Sequence, residues 1–195
     1  MQVNIKPIVG NWDLGYAIDK HSVRSIMTGH NEYGHPVFDT LRTEVGESLY
    51  QLKYKFDWNQ VDPLAECLLE HAVPLFTNIQ LIIPMAASNP RTRQPVTAIT
   101  DVLAQMMGGG MMSFNDLLLK APGGKSLKNL STKEDKVAAI ANSFSFNDQI
   151  NQNGPYNALI VDDLYHTGAS MEAACAVLRS YNKINKIYVA ALTWR

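Results

Sequence analysis

Short apolar runs alternate with segments of helical periodicity along the second half of the chain. A run rich in β-branched residues at 80–84 precedes a polar loop and the apolar-periodic residues 95–107, which predicts a strand, a loop and a helix. Further runs at 158–161 and 187–192, with helical spacing at 169–181 between them, repeat the alternation. Strands that are apolar at nearly every position are typical of a parallel sheet covered on both faces, so we expect an α/β fold.

Turn and capping residues mark the predicted ends of these elements. Three glycines at 108–110 end the first helix, because glycine supplies left-handed capping conformations without steric cost. Another apolar run at 116–120 leads into the loop at 122–125. Ser131 and Glu134 have the spacing of a capping box and predict a helix after that loop. A flexible loop in this part of the chain could close over a site during turnover.

The first part of the chain has a different pattern. We expect residues 1–75 to form an N-terminal hood or cap on a core of residues 76–195. Apolar residues at 12–18 predict a strand, and a stretch rich in Gly, His and Asn at 28–34 predicts a hairpin. Apolar residues then recur at helical spacing over 43–53, which predicts a helix.

Composition and charge narrow the class of protein. The chain has 195 residues, of which 46% are hydrophobic and 18% charged, with a formal net charge of -1, so we expect a globular protein without strong attraction for nucleic acids or anionic membranes. No apolar stretch resembles a signal peptide or a membrane span, which favours the cytoplasm and no membrane partner.

Cys67 and Cys175 are far apart in sequence and are predicted to be buried small hydrophobes in helices. His21, His30 and His35 lack metal-ligand spacing and are predicted to be scattered surface residues, so no dedicated protein ligands for a metal are expected.

The segment at 160–170 carries the residues with the clearest chemistry. Asp162 and Asp163 follow an apolar strand, at the edge where open α/β sheets bind ligands. Two adjacent carboxylates can accept hydrogen bonds from sugar hydroxyls, and their charge strengthens these bonds. We therefore expect Asp162 and Asp163 to bind the 2- and 3-hydroxyls of a ribose.

The turn that follows is predicted to bind a phosphate. It exposes backbone N–H groups at the start of a helix, where the helix dipole favours an anion. Hydroxyl groups add donors, and the glycine lets the backbone approach closely. The predicted phosphate-binding residues are Tyr165, His166, Thr167, Gly168, Ala169 and Ser170. Either piece alone is common as a solvated turn or a helix cap, and only the whole run favours a sugar-phosphate site.

The run at 160–170 resembles the 5-phosphoribosyl 1-pyrophosphate loop of type I phosphoribosyltransferases. That loop has apolar residues, two acidic residues, two variable positions and then small or hydroxyl residues around Thr-Gly. His166 departs from the small residue or Thr usual there, and Ser170 replaces the commoner Thr. The resemblance implies the type I phosphoribosyltransferase fold, with a mainly parallel central sheet. It also implies that Asp162 and Asp163 are the catalytic acids.

The resemblance is greatest to the competence-protein ComF-like branch and covers residues 47–195. Residues 52–55, with a Lys-Tyr pair, resemble a helix of that branch, and residues 82–84 together with Arg91 and Arg93 resemble its pyrophosphate loop. Many members begin with a cysteine zinc module, which this chain lacks.

Four basic residues could reach an anionic ligand. Arg91 and Arg93 follow a strand, where guanidinium groups could bind pyrophosphate and stabilise its charge as it leaves. A solvated basic turn is the alternative. Lys53 and Lys55 are interpreted as the solvated face of an amphipathic helix.

The resemblance implies Mg²⁺-dependent transfer of a phosphoribosyl group to a nitrogenous acceptor, with release of pyrophosphate. Magnesium would arrive with the substrate pyrophosphate, so it needs no cluster of protein ligands. Expected ligands are 5-phosphoribosyl 1-pyrophosphate or a nucleoside monophosphate. The alternatives are a non-catalytic sugar-phosphate or nucleotide-binding regulator and a ComF-like accessory factor in DNA uptake. The acceptor and the oligomeric state stay open, although a homodimer is the commonest oligomer.

Overall fold

The computed structural model describes residues 1–89, 91–121 and 143–195. Within these ranges it has nine β-strands and four α-helices. The strands are β1 Lys6–Pro7, β2 Leu14–Lys20, β3 Ser22–His30, β4 Pro36–Arg42, β5 Leu81–Pro84, β6 Leu118–Lys120, β7 Phe144–Phe146, β8 Tyr156–Tyr165 and β9 Ile184–Trp194. The helices are α1 Glu44–Tyr54, α2 Val61–His71, α3 Pro95–Met107 and α4 Ala169–Arg179.

Five strands form the central sheet in the order β1-β2-β9-β8-β5. The pairs β2/β9, β9/β8 and β8/β5 are parallel, and only the short β1 is antiparallel, at the edge. The apolar runs predicted as strands supply the middle of this sheet: Ile83 lies opposite Ile160, and Val161 lies opposite Ala190. The predicted α/β class with a mainly parallel sheet is confirmed.

Alternate residues of the strands bury their side chains on opposite faces of the sheet. Leu159 and Val161 pack with α1, α2 and α3, whereas Ala158 and Ile160 pack with α4 and residues of β6 and β7. Both faces are thus covered, which explains why the strands carry so few polar residues.

Two further ribbons lie outside the central sheet. β3 and β4 form an antiparallel hairpin, as predicted, and most of its side chains are exposed. β6 and β7 pair with each other rather than with the sheet, so the apolar run at 116–120 does not add a parallel strand. Its residues Leu117 and Leu118 are instead buried against the face that carries α4.

The predicted helices mostly have the expected bounds, and the strands are longer than expected. α3 covers 95–107 as predicted, and Thr43 caps α1 by accepting a hydrogen bond from the Gly46 N–H. β8 and β9 extend past the predicted runs at both ends, because their mutual pairing continues through polar residues. The predicted helix at Ser131 and the loop at 122–125 lie outside the described residues.

The first 75 residues contribute to the sheet as well as to its cover. β2 lies between β1 and β9 in the sheet, and α1 and α2 pack on one of its faces. The division into a hood of residues 1–75 and a core of 76–195 stays a prediction. Cys67 and Cys175 are buried in α2 and α4, as predicted. None of the helices in the described ranges is long and apolar enough to cross a membrane.

Candidate functional site

The two adjacent acids lie in the last part of β8. The sequence predicted that the strand would end at Val161, but it continues to Tyr165, with Leu164 opposite Thr193 in β9. Asp162 and Asp163 are therefore held by sheet pairing instead of a mobile turn. The Oδ1 atom of Asp162 accepts a hydrogen bond of 2.8 Å from the Asp163 N–H, which orients the first carboxylate.

The turn between β8 and α4 contains a series of unpaired backbone donors. The N–H groups of residues 166–171 donate no hydrogen bond anywhere in the described ranges. Gly168 has a φ of +81°, in the left-handed region, and it forms the N-cap of α4. Unpaired backbone donors at the start of a helix of this length are suited to a phosphate dianion.

The side chains of this turn include one that packs against the core and several that are exposed. Tyr165 packs edge-on against the buried Trp12, with ring centroids 6.3 Å apart, and its ring covers Gly168. His166 and Thr167 are exposed, and Ser170 is exposed at the first turn of α4. Together with Asp162, residues 164–171 line a concavity of about 100 Å³.

A larger cavity of about 290 Å³ opens beside this turn. It shares Asp162, Leu164 and Ser170 with the smaller concavity, so the acids and the turn between β8 and α4 face connected space. Its other walls are the loop after β5 and the start of α3. Among the described residues, the lining side chains that carry formal charge are Lys53, Arg91, Lys120, Asp162 and Asp163.

The loop after β5 and the start of α3 add backbone donors to this cavity. The N–H groups of Ala86, Ala87 and Ser88 donate no hydrogen bond within the described part of the chain, nor do those of Val96 and Thr97. All five residues line the cavity. A polyanionic ligand would therefore meet unpaired amides on two walls.

Three cations of the described part of the chain reach the cavity from separate elements. Lys53, in the last turn of α1, has its Nζ atom 2.5 Å from Asp163 Oδ2. Arg91 donates to the Lys53 carbonyl oxygen at 3.2 Å, and Lys120 at the end of β6 donates to Ser88 Oγ at 2.9 Å. Interpreting Lys53 as part of a solvated helix face was wrong, because the end of α1 packs beside the acids.

The two arginines predicted to bind pyrophosphate have different positions. Arg91 lines the cavity with the acids. Arg93 is absent from that lining, and its guanidinium lies 4.2 Å from the centroid of the Trp58 ring. Lys55 is exposed and 5.8 Å from the ring of Tyr50, as expected for a solvated residue.

Burial and neighbouring charge change the protonation of two of these groups. Burial, followed by repulsion from Asp163, raises the pKa of Asp162 to about 7, while the Asp163 N–H, Lys53 and Lys120 oppose the rise. Burial lowers the pKa of Lys120, and attraction to Asp162 opposes that change. An anionic ligand would favour the charged form of Lys120, whereas hydroxyl donors would favour ionised Asp162.

A chain of two hydrogen bonds, through Thr193 and His21, holds the backbone of Asp163 in place. Thr193 is fully buried and donates to the Asp163 carbonyl oxygen at 2.9 Å. The hydroxyl has one proton, so the 3.2 Å contact to His21 Nδ1 requires the imidazole to donate. His21 is half-buried, so its interpretation as a surface histidine was wrong. Burial and the nearby Arg195 lower its pKa, which keeps it neutral.

Sequence reasoning missed the roles of Lys53, Lys120, Thr193 and His21. A lysine that ends an apolar run, as Lys120 does, was the available signal for a cation at a sheet edge. Thr193 and His21 left no such signal, because their contacts join distant strands.

The residues present fit a magnesium ion that is carried by a substrate. Carboxylate oxygens of Asp162 and Asp163 are of the ligand type that Mg²⁺ prefers, and the ion usually retains waters and substrate phosphates as its other ligands. Within residues 1–89, 91–121 and 143–195 no group of three or more His, Cys, Asp or Glu side chains could hold a metal by itself.

Comparisons with known proteins gave matches to solved structures only. No family model matches the chain, and no curated protein matches its sequence. An adenine phosphoribosyltransferase from Thermoanaerobacter pseudethanolicus is 17% identical, with a TM-score of 0.45 over 89% of this chain and 96% of that one. An adenine phosphoribosyltransferase from Saccharomyces cerevisiae, complexed with an imino-altritol bisphosphate and adenine, is 16% identical, with a TM-score of 0.41 over 87% and 83%.

A hypoxanthine phosphoribosyltransferase from Staphylococcus aureus is 14% identical, with a TM-score of 0.42 over 69% of this chain. The match spans 63% of that protein, which is less than two thirds of its length. At these scores the likeness bears on neither substrate nor mechanism. The resemblance to the ComF-like branch stays a prediction.

Proposed function

We propose that this protein binds 5-phosphoribosyl 1-pyrophosphate and transfers its phosphoribosyl group to a nitrogenous acceptor, releasing pyrophosphate. One observation carries the proposal. A turn with unpartnered amides and a pair of carboxylates face connected cavities at the carboxyl end of the sheet, sharing Asp162 and Ser170 as lining residues. Unpaired amides bind a phosphate, paired carboxylates bind a diol, and the cations of the larger cavity bind a second anion, so a ligand with all three groups fits this site.

Each group of the ligand has a matching surface. The amides of residues 166–171 would hold the 5-phosphate, and Thr167 and Ser170 would add hydroxyl donors. Asp162 and Asp163 would accept the 2- and 3-hydroxyls. The pyrophosphate would lie against the amides after β5, with Arg91 and Lys120 as countercharges. Arg93, which stacks on Trp58, would act only after moving away from that ring.

The reaction needs little covalent chemistry from the protein. An acceptor nitrogen attacks the anomeric carbon and forms the new bond. The bond from that carbon to the pyrophosphate oxygen breaks, and its electron pair leaves with the pyrophosphate. Positive charge develops on the sugar beside the two carboxylates, and negative charge develops on the leaving group beside Arg91 and Lys120. Magnesium bound with the pyrophosphate would neutralise part of that charge.

Isothermal titration calorimetry with 5-phosphoribosyl 1-pyrophosphate and Mg²⁺ tests binding directly. The double variant Asp162→Asn, Asp163→Asn is expected to lose at least about a hundredfold in affinity, because several charge-assisted hydrogen bonds to the diol are weakened. The matched control is Asp62→Asn, Glu66→Gln, which removes two exposed acids of α2 outside the cavity. An undiminished affinity in the first variant would contradict the proposal.

Release of pyrophosphate with a panel of nucleobases and amines separates catalysis from binding. Release that depends on one acceptor supports the transferase. Tight binding without release, for every acceptor, would favour the regulator that binds a sugar phosphate or a nucleotide. Salt-dependent binding of DNA would be the signature of the ComF-like accessory factor.

We also propose that two copies of the chain associate through the hairpin β3–β4. Both faces of this ribbon carry exposed apolar side chains, and a two-stranded ribbon is only marginally stable in water. Arg24 and Asp39 share one face, and neither forms an ion pair within the described ranges, so Arg24 of one copy could pair with Asp39 of the other across a two-fold axis.

Phe38→Ser is expected to give monomers in sedimentation velocity, whereas Tyr33→Ser, at the exposed tip, leaves dimers. Monomeric wild-type protein would refute this.

A further inference from the structure

Lys53 occupies one oxygen of Asp163 that a sugar diol would need. The Nζ to Oδ2 distance is 2.5 Å, and the two side chains are 27% and 17% exposed. Both line the same cavity as Arg91 and Lys120. Asp163 therefore already has a countercharge from the protein, so a hydroxyl group must compete with an ammonium group for it.

The competition has different outcomes for different ligands. A ribose without an anion near C1 would displace Lys53 and leave the ammonium without a partner in a partly buried place, which is unfavourable. A ligand that brings a pyrophosphate offers Lys53 a new anion in the same cavity. The lysine side chain is flexible and carries three rotatable donors, so it can exchange one oxygen anion for another without movement of α1.

The end of α1 also positions a second cation. Arg91 donates to the Lys53 carbonyl oxygen at 3.2 Å, in the last turn of the helix, where the dipole favours positive charge. Lys53 and Arg91 are thus adjacent residues that both line the cavity. An anion attached to C1 of a ribose on the acid pair would come within reach of both.

We propose that Lys53 is a specificity-determining residue, which gives up its contact with Asp163 and forms one with the pyrophosphate of the ligand. Diol binding is thereby coupled to the presence of the leaving group, and ribose 5-phosphate is disfavoured relative to its pyrophosphorylated form. This inference rests on the proposed function, since it names the feature by which the same site selects its substrate.

The experiment compares two sugars that share the 5-phosphate. Affinities of wild type and Lys53→Met for ribose 5-phosphate and for 5-phosphoribosyl 1-pyrophosphate are measured by calorimetry with Mg²⁺. Methionine keeps the apolar stem and removes the charge. The variant is expected to bind the pyrophosphorylated sugar at least about tenfold more weakly and ribose 5-phosphate about threefold more tightly. Lys55→Met, which removes an exposed lysine outside the cavity, is expected to change neither.

The opposite signs are the critical result. If Lys53 merely attracted anions, its removal would weaken both sugars in parallel, and that outcome would overturn the inference, as would no change in either. Lys53→Gln provides a second uncharged variant if the methionine variant does not fold. Failure of folded wild-type protein to bind either sugar would refute the proposed function, and the role of Lys53 with it. Normal wild-type binding with a parallel loss in the variant would refute the role of Lys53 alone.

Discussion

Gly168 lies directly beneath the ring of Tyr165. A Cβ atom added at Gly168 would be 2.9 Å from Tyr165 Oη and 3.1 Å from a ring carbon, and the backbone there has a φ of +81°. A glycine is therefore required at this position for two reasons: the backbone is left-handed, and the Tyr165 ring leaves no space for a Cβ atom. Both requirements shape the turn whose unpaired amides precede and begin α4.

Gly168→Ala is expected to weaken phosphate binding by the turn as well as to lower stability. The Cβ must push the tyrosine ring or rotate the backbone, and either movement would shift the unpaired amides of the turn. Gly109→Ala is the matched control, because Gly109 also has a left-handed φ, of +62°, but no atom within 4 Å of the added Cβ. We expect the control to lose only about 1–2 kcal/mol of unfolding free energy. Calorimetry with ribose 5-phosphate and denaturant unfolding measure the two effects; equal affinity in wild type and Gly168→Ala would contradict this account of the turn.

Asp162 is expected to make the stability of the protein fall as the pH rises. Its pKa is raised from 3.8 to about 7, so in the window between these values the folded protein holds a proton that the unfolded chain has lost. Unfolding then becomes easier with increasing pH. Asp162→Asn keeps the acceptor for the Asp163 N–H and removes the titration. We therefore expect this variant to be more stable than wild type at about pH 8, by a margin that shrinks towards about pH 4.

Thermal unfolding at several pH values measures this difference, at about 2–4 °C for each kcal/mol in a chain of this size. Asp62→Asn, on the exposed side of α2, controls for the loss of one carboxylate. A margin that is constant with pH would show that burial of Asp162 does not govern its protonation.

Gly46→Ala is expected to destabilise the protein although alanine is the better helix former. Gly46 lies in the first turn of α1, where alanine would gain about 1 kcal/mol from helix propensity alone. The added Cβ would be 2.0 Å from the backbone oxygen of His21, which cannot move without disturbing the junction of β2 and β3. We expect a net loss of about 1–3 kcal/mol in denaturant unfolding. Ser48→Ala in the same helix should be neutral or slightly stabilising, and a stabilised Gly46→Ala would mean that α1 does not pack as described.

Arg91 and Arg93 are expected to differ although both follow the same strand. Arg91→Gln removes a cation from the cavity and should weaken binding of 5-phosphoribosyl 1-pyrophosphate about tenfold. Arg93→Gln removes the stacking on Trp58 and should lower stability by about 0.5–1 kcal/mol without a comparable change in affinity. Calorimetry and thermal unfolding of both variants test the distinction. Equal losses of affinity would mean that Arg93 leaves Trp58 and binds the ligand.

Local features of the fold and of the candidate site could be predicted from the sequence. The helix over 95–107, the hairpin after β2 and the turn at 165–170 each depend on residues that are neighbours in the chain. Thr43 caps α1 and Gly168 adopts a positive φ for reasons that act within a few residues. The extent of β8 was underestimated, because its polar end is held by pairing with β9 and not by its own composition.

Local periodicity and backbone chemistry were enough to predict that apolar strands alternate with helices, and that a pair of acids precedes a turn at the start of a helix. Which charges meet those acids depends instead on how the helices and loops pack around the sheet. Lys53 and Asp163 are 110 residues apart, and whether a lysine on a helix faces water or a carboxylate depends on how that helix packs on the sheet. Arg91 and Lys120 reach the same cavity from two other elements. Such convergence depends on long-range packing, which cannot be predicted from the periodicity of each segment.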